Sequence, residues 1–497
     1  MSIWRIKPVS AFESDVRKSE LRRVLTRWGL TSMGIGAIIG GGIFTLTGIA
    51  AREFAGPALA ISFVIAGIGC LFASLCYAEF ASVIPVEGSA YAYAYGTIGE
   101  IFAWFIGWNL ILEYMMGATT VAVAWSGYFT KLLHLFHIDI PIWLCNDLAT
   151  AKEKCLEAGI SPPSFAVNLP AFFITWIITL ILVKGIKEAA KTNNAIVILK
   201  VGAVLFVILA GMFYVNAENW KPFIPDEMLV VDESGMEKIK YGWNGVITAA
   251  TIVFFAYIGF DAVSTQAGEA INPKKDVPFA IVASLLICTL LYIAVSLVLT
   301  GMVKYDKLDK AAPVASAFAG VGIDWAVFVV TIAATAGLMS VMMVMMLGQT
   351  RIFLGMAKDG LLPYAIFGKI HSRFKTPYIS TILVGTVISL VAAFTPIEKI
   401  SEMCSMGTLL AFSMVCVAVM ILRYKKPELE RPYRTPAVYL VGTLGALFNV
   451  FLMTRTRVET KWFFLYWSIL GILVYFLYGK NHSKLNESGQ ENISHEK

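Results

Sequence analysis

The sequence predicts an all-α membrane protein of twelve transmembrane helices, with the first and the sixth interrupted. Three observations predict it. The 497 residues are 58% hydrophobic, with a mean hydropathy of +0.72, and only 15% are charged, against about 25% in soluble domains. Twelve stretches are apolar enough for lipid, where a crossing helix takes about 20 residues; open sheet edges cannot be satisfied there, so helices are the default. Two of those stretches carry glycines that a helix with nothing to do but cross lipid has no use for.

The chain begins with 28 polar and basic residues and no cleavable leader is expected. From Phe12 to Trp28, charges alternate with Leu21, Val24, Leu25 and Trp28, the pattern of a basic amphipathic helix lying on the inner leaflet. Residues 1–28 therefore form a cytoplasmic segment. Spans one to twelve are Leu30–Ala51, Pro57–Ile84, Ile101–Tyr128, Leu169–Val183, Ala195–Val215, Val246–Ala267, Phe279–Met302, Trp325–Leu347, Ile379–Phe394, Met406–Leu422, Val438–Met453 and Trp462–Tyr478. The first ten make a core over residues 29–424, the last two occupy 425–479, and a polar tail covers 480–497. With the N-terminus inside, the inside segments hold 25 Lys and Arg, the outside loops 14, and Lys200 lies within a span. That excess puts both termini in the cytoplasm and the chain in the cell membrane. The net charge of +6 thus reports topology and implies no nucleic acid.

Cys70, Cys76, Cys288, Cys404 and Cys416 fall in spans or at their ends, as small hydrophobes do. Cys145 and Cys155 lie in the long outer loop after span three, where a disulfide is plausible. The five histidines, at 134, 137, 371, 482 and 495, are never deep in a span, and no metal spacing appears. No metal or organic cofactor is expected, nor an enzyme, since no His, Asp or Ser groups converge.

The chain is organised around Thr31–Thr47, TSMGIGAIIGGGIFTLT. Each glycine inside a helix costs about 1 kcal/mol against alanine, so Gly40, Gly41 and Gly42 predict an unwound segment at mid-depth. A half-helix starting near Gly42 offers free N–H groups and a positive dipole end, suited to a carboxylate. The half-helix ending near Ile39 offers free carbonyls, suited to an ammonium. The matching ligand is an α-amino acid zwitterion; the competing reading is close helix packing, since Gly36 to Gly40 is a GxxxG. Span six decides between them. Phe254-Phe-Ala-Tyr-Ile-Gly-Phe-Asp261 places a glycine and an acid in an apolar run. Interruptions at corresponding places in two five-helix halves point to a site at the bilayer midplane.

The stretches Gly34-Ile-Gly-Ala-Ile-Ile-Gly-Gly-Gly-Ile-Phe44, Cys76-Tyr-Ala-Glu-Phe80 and Phe254-Phe-Ala-Tyr-Ile-Gly-Phe-Asp-Ala262 resemble the amino acid–polyamine–organocation superfamily, and within it bacterial members of the cationic amino acid transporter family. The resemblance implies a LeuT-type fold, two inverted five-helix repeats plus two helices, and secondary transport by alternating access. It implies that the substrate carboxylate meets N–H groups at Gly41 and Gly42, that the amino group meets carbonyls of Ile39, Phe255, Ala256 and Ile258, and that the Phe255 ring gates the site. Many relatives carry a hydroxyl residue where this chain has Gly41.

Lys200 sits about 8 Å into span five at 1.5 Å per residue. It either snorkels to the inner surface or faces the interior and exchanges a proton during the cycle. The resemblance supports the second role, since proton-coupled relatives place a lysine where sodium-coupled ones bind an ion. Its ammonium is expected on carbonyls of spans one and eight. Glu113, mid-span three, either relays protons, lines the pocket, or bonds a neighbouring helix as a neutral acid. Asp261, Glu269 and Glu79 are expected in inner-gate pairs with basic loops, with Arg351, just past span eight, as a partner. Span eight is methionine-rich, and the resemblance puts Met342 beside the substrate side chain, where it shortens the pocket. Without an acid at the far end, a cationic side chain would be buried unpaired. The expected activity is proton-coupled symport of small neutral L-amino acids such as alanine, with cationic ones second. Proton-independent exchange and a flux-free sensor are the alternatives, and a small membrane subunit is left open.

Overall fold

The computed structural model describes residues 4–8, 25–84, 88–184, 186–231, 237–310, 312–374 and 376–485. The amphipathic N-terminal segment falls mostly on 9–24, and the end of the polar tail on 486–497, both outside the described residues. Each of the twelve predicted spans is met by a helix, numbered below as its span. Among the described residues, nine helices are long and apolar enough to cross a membrane, one of them the stretch Arg27–Val83 that takes in both of the first two spans. Leu169–Lys184 and Tyr378–Phe394 are shorter apolar helices, and the 16 residues of the first reach about 24 Å.

Hydropathy placed the helices better than it placed their ends. Helix three runs Glu100–Leu135, helix eight Asp324–Lys358 and helix ten Ile397–Lys425. Backbone hydrogen bonding continues past the last apolar residue, so each helix extends into polar sequence that a hydropathy window discards. Arg351 therefore lies within helix eight, not beyond it. Four short helices, Ser89–Tyr95, Leu148–Glu157, Pro313–Gly320 and Tyr364–Phe367, sit in the connections. One departure from an all-α chain is the hairpin Met228–Val231 with Glu237–Lys240, antiparallel, pairing Met228 with Lys240.

Helices three and eight pack most extensively, followed by two with seven; three with ten, ten with eleven, and four with nine are further major contacts. The interior is rich in aromatic rings: Tyr77 makes edge contacts with Tyr93, Phe260 and Phe412, and Phe80 stacks on Tyr93. This layer holds helices two, six and ten together beside the second break. The sequence left open whether Cys145 and Cys155 pair; both are free thiols. Cys145 Sγ instead faces its own turn, 3.5 Å from Pro141 O and 3.7 Å from Ile142 O.

Candidate functional site

Both predicted interruptions are present. Helix one winds from Arg27 to Ile38, leaves helical geometry at Ile39 (ψ 104°), and resumes at Gly42 as a wide turn to Leu46 followed by Thr47–Ala50. Helix six winds from Gly242 to Val253, tightens over Phe254–Tyr257, then passes through Ile258 (ψ 132°) and Gly259 (φ +122°) before a tight turn from Asp261. Positive φ at Gly259 is open to glycine and strained for other residues.

Glycines let the two breaks touch. A Cβ on Gly42 would overlap the Ala256 backbone, and one on Gly259 would lie 2.9 Å from the Ala37 carbonyl. Gly41 differs: a Cβ there would meet Ala124 at 3.4 Å, an ordinary contact. Helix seven adds a tie that the sequence reading missed. The Tyr292 hydroxyl lies 2.8 Å from Ile38 O and 2.9 Å from Ala256 O, one carbonyl from each break. The signal was available, because a tyrosine hydroxyl buried in an apolar span usually finds an acceptor.

A small cavity lies between the breaks, with ≈ 10 Å³ of room for the centre of a water-sized sphere, about the threshold for holding one water. Of the expected substrate residues, Gly41, Gly42, Phe255 and Ile258 line it. Ile39, Ala256 and Met342 do not. Helix eight instead presents Val341 and Met345, one turn apart, and helix three presents Val121. The full lining is glycine and apolar side chains. Met342, one residue on from Val341, is fully buried.

Lys200 is fully buried in helix five. Its Nζ donates to Gly36 O and to Ile39 O, the latter at 3.0 Å. These are carbonyls that the end of a half-helix leaves unpaired. Both acceptors belong to helix one. Helix eight was expected to supply carbonyls, but meets the lysine stem, with Gly337 placed so that a Cβ would lie 3.1 Å from Lys200 Cβ. Lys200 therefore does not snorkel, and Ile39 O already serves it.

Glu113 is fully buried, and neither carboxyl oxygen has a hydrogen bond of good geometry among the described residues. It faces helix ten, where Gly407 lies against its Cβ and Cys404 Sγ approaches its backbone carbonyl at 3.1 Å. Asp261 departs from the expected loop ion pair. It accepts from Tyr114 OH (2.9 Å) and from Gly259 N (3.2 Å), so it caps the second break from within. A break leaves backbone N–H groups without a helical partner, and a buried one must find an acceptor, here the carboxylate. Arg351 Nη1 donates to Gln266 Oε1 at 2.7 Å; the Glu269 side chain is outside the described residues. Glu79 does pair as expected, with Arg423 at 2.7 Å and Arg431 at 3.2 Å, and it also accepts from Thr435 N.

Residues 25–475 match the profile of the amino acid permease family. The chain is 41% identical over 486 residues to the methylthioribose transporter of Bacillus subtilis (strain 168), covering 98% of this chain and 100% of that one. It is 43% identical over 488 residues to the branched-chain amino acid permease BcaP of the same organism, covering 98% and 99%. The vacuolar cationic amino acid transporter 4 of Arabidopsis thaliana is 37% identical over 412 residues, 82% of this chain and 64% of that protein.

Proposed function

This chain belongs to the amino acid permease family of membrane transporters, and from that premise we propose that it is a proton-coupled symporter of small neutral L-amino acids. The observation that carries the reading is the pair of facing breaks around an apolar cavity. Free N–H groups at Gly41 and Gly42 receive the carboxylate, and carbonyls of Phe255, Ala256 and Ile258 receive the ammonium. Ile39 O contributes while bonded to Lys200. Two half-helix ends of opposite polarity supply both charges without an ionised side chain.

The substrate side chain then points at Val121, Val341 and Met345. No acid lines that wall, so a cationic side chain would be buried without a partner. The branched-chain permease among the relatives fits such a wall. Met342, packed beside Val341, limits side-chain length from behind it, and the Phe255 ring closes over the site. Coupling is assigned to Lys200, on the carbonyls of the first break, and to Glu113, a buried carboxyl among packed helices. Ionisable groups at such depth are functional by default.

Alternating access is supported by which helices pack together. Helix two packs on seven, three on eight, four on nine, and break one on break six, four of the five on the partner five places later, while helix five packs on eight, seven and one. That is the pairing expected of two inverted five-helix repeats in a LeuT-type fold of twelve spans. Both termini lie in the cytoplasm of a cell whose plasma membrane holds the protein.

Uptake of labelled L-alanine and L-leucine into proteoliposomes, with and without an inward proton gradient, tests the reading. Wild type is expected to accumulate both against their gradients only when protons drive it. Lys200→Ala is expected to lose accumulation. Equal gradient-driven accumulation in the two proteins would overturn the coupling. Saturable exchange without gradient dependence would favour an exchanger, and binding without flux a sensor.

A further inference from the structure

The face opposite residues 4–8 and 480–485, which pack at Asp359 and Glu100, carries a charged cluster that the transport site does not use. Helix one ends there in a wide turn, Ala51–Ala55. Its Glu53 pairs with Lys240 Nζ at 2.7 Å, in the strand leading into helix six. Lys310, in the connection between helices seven and eight, lies 3.6 Å from the other Glu53 oxygen and 3.0 Å from Glu153. Glu153 belongs to the short helix Leu148–Glu157 between helices three and four, whose start is fixed by Asp147 accepting from Ala149 N and Thr150 N. Backbone bonds surround the charges. Tyr241 N donates to Phe54 O (2.9 Å), Tyr241 OH to Arg52 O (2.8 Å), and Arg52 Nη1 to Leu308 O (3.3 Å).

These bonds divide into two kinds. Glu53 to Lys240, and the Tyr241 bonds, join the far ends of the two interrupted helices to each other. Among the described residues, the Lys310 pairs reach across, with one carboxylate from the interrupted helix and one from the helix between three and four. The short helix is tethered to helices three and four, which pack with eight and nine; helix one packs with seven. Burial works against the Lys310 ammonium, but the bond to Glu153 and the charges of Glu53 and Glu153 outweigh it and hold its pKa above the usual lysine value. The cation is fixed as a charge at neutral pH.

We propose that Lys310 is the latch of the door on this face: bridging Glu53 and Glu153, it holds the outer ends of the interrupted helices against the helix 148–157, and its release lets them swing open. The inference rests on the alternating-access reading for its purpose, but its test needs no substrate. Backbone hydrogen–deuterium exchange is followed on the full-length protein in lipid nanodiscs, for wild type, Lys310→Met, Glu153→Gln, the double variant and Lys310→Arg. Lys310→Met is expected to speed exchange about threefold in 47–55, 148–157 and 305–313 together, the size of one partly exposed ion pair. The double variant should match Lys310→Met alone, and Lys310→Arg should match wild type. Exchange that rises only in 305–313, leaving 47–55 unchanged, would overturn the latch, as would effects of the two single variants that simply add. Glu153→Gln, on an exposed side chain, supplies the same comparison if Lys310→Met does not fold. Failed uptake with the exchange pattern intact would count against transport and leave the latch standing.

Discussion

Gly41 and Gly42 are adjacent, share helical backbone, and are predicted to respond to alanine with opposite sign. At Gly41 (φ −55°, ψ −27°) the new methyl meets Ala124 at 3.4 Å. Removing glycine's freedom from the unfolded chain then stabilises by about 0.4–1 kcal/mol. At Gly42 the same gain applies, but the methyl falls on the Ala256 backbone. Overpacking costs about 1–3 kcal/mol, and a backbone atom at the break has no rotamer by which to retreat, so the upper end of about 3 kcal/mol applies. The unfolded-chain gain cancels between the two variants, leaving a gap of about 3 kcal/mol set by this one contact. Because unfolding of a large membrane protein is governed by its rate, the assay is the half-life of the purified protein at a fixed elevated temperature. Substrate binding by thermal shift runs alongside. Gly41→Ala should match or outlast wild type, and Gly42→Ala should be shorter-lived and bind nothing. Equal half-lives, with binding retained in Gly42→Ala, would refute the claim that this glycine exists to let the two breaks meet.

Tyr292→Phe removes the hydroxyl shared by Ile38 O and Ala256 O; leaving buried carbonyls unsatisfied costs about 1–3 kcal/mol. It should raise the half-saturation constant for L-alanine uptake with the protein still folded, and an unchanged constant would show that the tie does not position the breaks. Val341→Ala and Met342→Ser should each admit longer side chains, the first by opening the wall and the second by giving it room behind. A thermal-shift screen over the twenty amino acids checks this, since a ligand stabilises the state it binds. Glu79→Gln leaves Arg423 and Arg431 facing a neutral amide. Breaking a buried pair from one side costs about 3 kcal/mol or more, so folded yield and thermal half-life should fall while any surviving protein keeps its substrate preference.

Much of the candidate site was legible before any coordinates. Glycine runs inside apolar stretches have a definite energetic cost, so they announced both breaks. A lysine within a span left snorkelling and an interior role both open, and its bonds to the carbonyls of Gly36 and Ile39 show it buried. The reading failed where the answer depended on rotation about a helix axis. Rotating a helix about its own axis leaves its hydropathy unchanged, and nothing in a methionine-rich stretch says which methionine faces inward; the cavity is lined by Val341 and Met345, and Met342 lies part of a turn away. Asp261 was misread for a related reason. A carboxylate near a glycine break can pair with a distant cation or cap the break itself, and only the fold showed Gly259 N and Tyr114 OH within reach.

Composition and spacing alone determined that this chain lives in lipid, that it is built of helices, and that two of them come apart, because each is dictated locally by the cost of unpaired backbone and by helix propensity. Which residues meet across the gap was decided by tertiary structure. Gly42 against Ala256, Tyr292 between two carbonyls, and Lys310 between two carboxylates join positions tens to hundreds of residues apart, and such encounters are fixed by how whole helices pack, which no local pattern records.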